Sequence, residues 1–337
     1  MYDRVCYILA ELNCLPLRLQ KSAAAYLVFL MLTIKKHDFQ SAGKLMECDP
    51  SCFCRLLNSD GREQLTRIVL NRAKRRHLQA LSQRLGVSLH ERNVIIIDAT
   101  IMGRHGKVEN LGKFNHGKGS VKGHMFVNFV YLGADGVSLV PLDSLPLYTK
   151  KYARENKLAY RTEAEIVEDW INDLPDAGYF AKEDMPNVLF LMDAGYDVKA
   201  IQNAVIGIKA HFVAALKSNR SVEGRNVSQY FRRHRNLAWS TIRLIVGSGG
   251  KGSRREYRTR HAKGVRLKGV GQASVVCSER KRSHRKTRKY LATNDPSFSA
   301  HDIVFWYSRR WLIGASSQGR VILAGESPAA ARRLEAA

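Results

Sequence analysis

The sequence predicts an α/β fold around a mixed sheet, and three observations carry that prediction. "NVIIID" (93–98) and "NVLFLMDAGYD" (187–197) hold short unbroken apolar runs, the pattern of strands buried on both faces, and each run ends in an acid. "KGHMFVNFVYLG" (122–133) and "GVSLVPLDSLPLY" (136–148) read as two further strands, joined by a turn at Ala134-Asp135-Gly136. Helical patterns then alternate with strand patterns, which is how an α/β layer structure is written.

Taken in order, residues 1–90 read as a helical N-terminal region. The apolar run Ala23 to Ile34 lies between Lys21 and Lys35 and is 12 residues long. A membrane span needs about 20, so the run predicts a buried helix. In "SAGKLMECDPSCFCRLL" Ser41 offers a helix start, Asp49-Pro50 a break and Ser51 a second start, the outline of a helix-turn-helix that binds DNA. A basic helix follows from Gln64 to Leu85, with Arg72, Lys74, Arg75 and Arg76 able to meet phosphate. Residues 91–219 form the predicted core. Its first helix has Thr162 as N-cap, Glu165 as capping-box partner, and Ile166, Val167, Trp170, Ile171 and Leu174 on one face. "VKAIQNAVIG" (198–207) reads as a helix capped by Asp197, and "HFVAALKSN" (211–219) as a strand. Residues 291–313 close the core with a helix whose apolar face is Ile303, Val304, Trp306, Tyr307, Trp311 and Leu312. From Gly314 that periodicity stops, and 314–337 is a divergent tail of small residues and arginines.

Charge narrows the partner. The 337-residue chain carries a formal +25 and a pI of about 10.0, which points to a polyanion, nucleic acid before membrane surface. The excess is concentrated in a basic β-rich insertion at 220–290, where 21 Lys or Arg against three acids leave +18. Arg254, Arg255, Arg258, Lys281, Arg282, Arg285 and Lys286 are its candidate DNA-binding residues, and Tyr230, Phe231, Trp239, Tyr257 and Tyr290 lie among the cations as stacking candidates. No export signal or membrane span is read, so a cytoplasmic, nucleoid-associated protein is expected. Cys48, Cys52 and Cys54 lack zinc-ligand spacing, and the six cysteines read as reduced thiols.

The chemistry rests on Asp98 and Asp193. Singly, an Asp after a strand is often a turn former or a cap. Together, at the ends of two buried strands, they would converge where α/β sheets gather their chemistry, and their repulsion calls for a cation between them. Hard divalent ions about 3.5 to 4 Å apart, held by carboxylates, suit phosphodiester chemistry. Asp197 is the better cap for the following helix, which leaves Asp193 without that job. His105, His116 and His124 lack ligand spacing and read as solvent or phosphate contacts, Asp135 and Asp143 as structural.

With these residues in view, the chain resembles the DDE transposases of bacterial insertion sequences, in the branch with a β-rich insertion before the last acid. "IIIDAT", "DAGY", "FVAALKSNR", "YLATND" and "YSRRWLI" carry the resemblance, which runs from about Asn93 to Ile313. It implies an RNase H-like core, with Asp98 and Asp193 as catalytic and metal-binding acids of a two-ion Mg²⁺ (or Mn²⁺) site. It also implies DNA as partner, at terminal inverted repeats and target, a homodimer on DNA, and no organic cofactor. On the last helix the family pattern is Tyr, two residues, Arg, three residues, Glu, six residues, Lys. Tyr307 and Arg310 fit, but the Glu place is Gly314 and the Lys place Val321. A frameshift or truncation after Ile313 accounts for a pattern that stops altogether. The expected function is phosphodiester hydrolysis and strand transfer at element ends, impaired in this chain by the missing third acid. The alternatives are a non-catalytic DNA-binding protein, either a remnant or a repressor of the element, and an RNA-processing nuclease of the same core.

Overall fold

The computed structural model describes residues 2–12, 17–32, 39–53, 92–104, 106, 108–116, 119–133, 136, 139–246, 253–282 and 285–312. The chain divides into two compact units, a helical one from the N-terminus and a larger one holding the sheet.

The helical unit contains α1 (Tyr2–Leu12), α2 (Leu17–Leu32) and α3 (Phe39–Met46). The apolar run around Ala23 lies in α2, where Ala24 and Phe29 are fully buried. Among the described residues no helix is long and apolar enough to cross a membrane. Ser41 was expected to start a helix; it lies inside α3, which begins at Phe39. The break at Asp49 is present, and the Asp49 carboxylate accepts from Ser51 N at 2.9 Å and from Ser51 Oγ at 2.5 Å. A short side chain that satisfies nearby backbone and hydroxyl groups in this way stabilises a turn over a continuous helix. Cys6, Cys48 and Cys52 are free thiols, as is Cys277 in the other unit. The expected basic helix from Gln64 to Leu85 and Cys54 lie outside the described residues.

The sheet unit begins with β1 (Asn93–Gly103), β2 (Gly112–His116), β3 (Gly119–Leu132) and β4 (Leu139–Leu147). The helices α4 (Lys150–Glu155) and α5 (Glu163–Asp173) precede β5 (Val188–Met192), α6 (Lys199–Gly207) and β6 (His211–Leu216). The insertion supplies β7 (Ser221–Val222), β8 (Arg225–Asn226), α7 (Val227–Arg233), β9 (Ser240–Val246), β10 (Ser253–Leu267), β11 (Gly271–Arg282) and β12 (Arg285–Thr293). The last described helix is α8 (Ala300–Arg309). All the strands join one sheet with spatial order β2-β3-β1-β5-β6-β12-β11-β10-β7-β8, β4 pairing β3 and β9 pairing β10. β1, β5 and β6 are parallel neighbours, the other pairs are antiparallel, and β12 joins β6, so the insertion continues the core sheet.

Both faces are covered, which is why Val94–Ile97 of β1 and all of β5 are apolar instead of alternating. One face carries Val94, Ile96, Leu189, Leu191, Val213 and Ala215, against which α8 packs Ile303, Val304 and Tyr307. The opposite face carries Ile95, Ile97, Phe129 and Phe190, all fully buried. There the ring of Trp170 on α5 stacks on Phe129 at 4.0 Å and 12°. Both principal helices start on capping boxes, Thr162 with Glu165 for α5 and Ser299 with Asp302 for α8. α8 is shorter than its apolar pattern: it ends at Arg309, and Trp311, expected on the core face, is 53 % exposed.

Candidate functional site

The acid pair follows from strand register. β1 and β5 run parallel with Ile96 opposite Leu191, so two residues further on Asp98 stands level with Asp193. Neighbouring strands lie about 4.8 Å apart and positions two apart share a face, so both acids extend the row on which α8 packs. Asp98 lies within β1, half-buried, opposite Asn128 of β3. Asp193 comes directly after β5. The expectation that Asp193 has no capping job is corrected: its Oδ1 accepts from Gly195 N at 2.7 Å and caps the 3-10 turn Ala194–Tyr196. Asp197 is corrected in the opposite sense. α6 has Val198 as its N-cap without a side-chain bond, and Asp197 is buried instead, accepting from Lys217 N at 2.8 Å and from Gln202 Nε2 at 3.2 Å. Arg220 completes this buried group, its Nε 3.4 Å from the Asp197 carboxylate.

The pair sits in an unfavourable field for two negative charges. Burial, above all, raises the pKa of Asp98; Asp193 raises it further, and Arg310 opposes both. Arg310, at the C-terminal end of α8, donates from Nη1 to Asp98 Oδ1 at 2.9 Å. Its residue is 6 % exposed, and its guanidinium lies 4.6 Å from the ring centre of Trp311. Tyr307 is buried one turn earlier, and Lys289 of β12 donates to its hydroxyl at 3.4 Å. A third carboxyl, Glu163 at the start of α5, belongs to the same field. Burial chiefly raises its pKa, Asp193 and Asp98 add to the rise, and the Tyr196 hydroxyl opposes it. Burial and those same three carboxylates push the Tyr196 hydroxyl far up, so it stays protonated.

For the divalent ions that such a site would use, the donor chemistry fits: the pair offers hard carboxylate oxygens, and a cation already neutralises one of them. Among the described residues no three His, Cys, Asp or Glu stand together at ligand spacing. Gly314, in the place of the missing acid, lies outside the described residues, as does Val321. Of the histidines, His124 donates from Nε2 to the Glu109 carbonyl at 2.8 Å, a local bond; His105 and the side chain of His116 are outside the described set. Asp143 holds Ser144 N at 2.9 Å and Trp170 Nε1 at 3.2 Å, and Asp135 is outside.

Residues 156–313 match the family model described as Transposase DDE domain. This stretch is a DDE transposase domain of insertion-sequence type. The match covers 158 of 337 residues, just under half of the chain. No curated protein matches the chain. The transposase domain so delimited contains Asp193, Glu163, the insertion, Tyr307 and Arg310, while Asp98 lies before it and is brought in by the β1–β5 register. The architecture of the sheet unit, which includes strands before the matched stretch, is α/β and RNase H-like, with β4-β3-β1-β5-β6 as the mixed core.

The basic insertion presents cations on long strands. β10 carries Arg255 and Arg258, the latter 4.9 Å from the centre of the Trp239 ring, and Arg260 lies 4.5 Å from that ring. A cavity of about 260 Å³ opens beside them, lined in part by Arg232, Arg235, Arg260, Trp239, Arg288 and Tyr290. At the β11–β12 hairpin the register sets Lys281 opposite Lys286 and Arg282 opposite Arg285. The side chains of Arg254, Lys281, Arg282, Arg285 and Lys286 lie outside the described set.

Proposed function

We propose that this chain is a DNA-binding DDE transposase in which Asp98 and Asp193 hold divalent cations, Mg²⁺ or Mn²⁺, and in which cutting and strand transfer are impaired because position 314 is Gly. The observation that carries the reading is the parallel register of neighbouring strands that sets Asp98, inside β1 and not at its end as the sequence pattern implies, level with Asp193 just after β5. Bound there, such ions act as Lewis acids on a phosphodiester and activate water. The chain's own contributions are electrostatic and positional. The sheet fixes the two carboxylates, Asp193 is held by its bond to Gly195 N, and the basic insertion draws the DNA backbone. Loss of one ligand from a two-metal site removes several kcal/mol of transition-state stabilisation, hence orders of magnitude in rate.

Incubating the purified protein with supercoiled plasmid and Mg²⁺ or Mn²⁺ tests this. The expected result is DNA binding with little or no nicking. Efficient nicking that Asp98→Ala abolishes overturns the impairment and keeps the site. Nicking indifferent to Asp98→Ala overturns the site. The coding DNA after codon 313 supplies a separate check, because another frame resuming with a Glu codon, then a Lys codon seven later, would establish a frameshift.

A second reading is favoured by the Asp98–Arg310 ion pair together with Gly314: a DNA-binding protein without catalysis, occupying the ends of the element. DNA affinity indifferent to divalent metal supports it, and affinity that rises with metal supports the first. The finer assignments, terminal inverted repeats as the bound sequence and a homodimer on DNA, belong to the first reading.

A further inference from the structure

Arg310 closes α8 and lays its guanidinium on one oxygen of Asp98, at 2.9 Å, with the two side chains 7 % and 26 % exposed. Its Nε is buried without a hydrogen-bond partner. The arrangement therefore leaves part of the fork unused, although the same fork fits the two oxygens of a phosphate. Around it stands a platform suited to an anion. Lys289 Nζ lies 5.2 Å from the Tyr307 ring centre and 5.1 Å from that of Trp311, and Trp311 is half exposed. Two cations, Arg310 and Lys289, thus lie against the Tyr307 and Trp311 rings, and Arg310 also holds Asp98.

We propose that Arg310 is an internal counter-ion that keeps Asp98 closed to divalent cations until a DNA phosphate draws the guanidinium away. The proposal rests on the reading of Asp98 and Asp193 as the cation-holding pair. A divalent ion that takes Asp98 must displace Arg310 or sit against its positive charge, and either lowers affinity. A phosphate that pairs with Arg310 removes that cost. By linkage, metal and DNA then tighten one another by the same factor. Without DNA the Asp98 carboxylate stays neutralised by the chain's own cation.

The test is Mn²⁺ binding by the full chain, read from loss of the free Mn²⁺ electron paramagnetic resonance signal, with Asp98→Asn as background. Arg310→Gln is expected to bind Mn²⁺ on the order of tenfold or more tighter than wild type in the absence of DNA. A DNA duplex of arbitrary sequence at low salt is expected to tighten binding by wild type and to leave Arg310→Gln unchanged. Arg310→Met repeats the measurement without a hydrogen-bonding side chain, so that one misfolded variant decides nothing alone. If Asp98→Asn loses Mn²⁺ while both folded Arg310 variants bind like wild type, the counter-ion role is overturned. If Asp98→Asn binds as wild type does, the underlying reading of the pair fails instead. Tighter Arg310 variants with no effect of duplex on wild type overturn release by DNA.

Discussion

Trp170→Ala removes the side chain that fastens α5, and with it Glu163, to the face of the sheet behind the acid pair. Trp170 is 2 % exposed and stacks on Phe129 at 4.0 Å. Phe129 is in register with Ile97, the neighbour of Asp98. Truncating a buried Trp costs about 3–5 kcal/mol in lost transfer energy and residual cavity. The Nε1 bond to Asp143 at 3.2 Å is also lost, but Asp143 keeps Ser144 N and is partly solvated, so this adds only about 1 kcal/mol. The total, about 4–6 kcal/mol, is a large share of the roughly 5–15 kcal/mol that a domain has to spend. Trp170→Phe separates the parts: the stack and most of the volume survive, and the expected cost falls to about 1–2 kcal/mol. Urea unfolding followed by far-UV circular dichroism measures both variants. A Trp170→Ala cost below about 1 kcal/mol, or equal costs for the two variants, refutes the packing of α5 described above.

Three further outcomes follow from named contacts. Glu163→Gln should raise the melting temperature of the metal-free protein at about pH 8 and lose that advantage toward about pH 4. The sign follows because burial and the neighbouring acids raise the Glu163 pKa, so its ionised form costs stability above that pKa and the cost fades as pH falls through it. A gain that grows toward acid pH contradicts this. Arg220→Met should cost about 3–5 kcal/mol, since it strands the Asp197 carboxylate, 1 % exposed, and Asp197→Asn on top of it should recover much of the loss in urea melts. Replacing Lys281, Arg282, Arg285 and Lys286 together by Ala should flatten the slope of log DNA affinity against log salt by about 3–4; an unchanged slope removes the hairpin from the DNA contact.

Much of this molecule can be read from residue order, and the misses have physical causes. Apolar runs ending in Asp98 and Asp193 mark buried parallel strands because a sheet covered on both faces has no polar alternation to keep. The Thr162 and Ser299 starts are local in sequence, so local patterns find the first of them. Asp193 and Asp197 exchange roles because a cap is judged from neighbours in sequence, whereas Asp197 is claimed by Arg220, Gln202 and Lys217 from across the fold. Glu163 escapes notice for a similar reason: an acid in the first turn of a helix already has an explanation in the helix dipole, and only the folded sheet brings Asp98 and Asp193 into its field. Short segments such as β2 and α7 carry too few residues to show a period. Trp311 fits the apolar face of a longer helix than the one formed, and so its exposure could not be read from spacing.

The central claim is that Asp98 and Asp193 together hold a divalent cation, and iron-directed cleavage of the chain tests it most directly. Fe²⁺ bound in place of Mg²⁺, with ascorbate and peroxide, cuts the backbone beside its ligands, and the fragments can be mapped by mass spectrometry. The account predicts cuts clustered near residues 98 and 193 that excess Mg²⁺ suppresses and Asp98→Asn with Asp193→Asn abolishes. Cuts that fall elsewhere, or that persist unchanged in the doubly substituted protein, would contradict it.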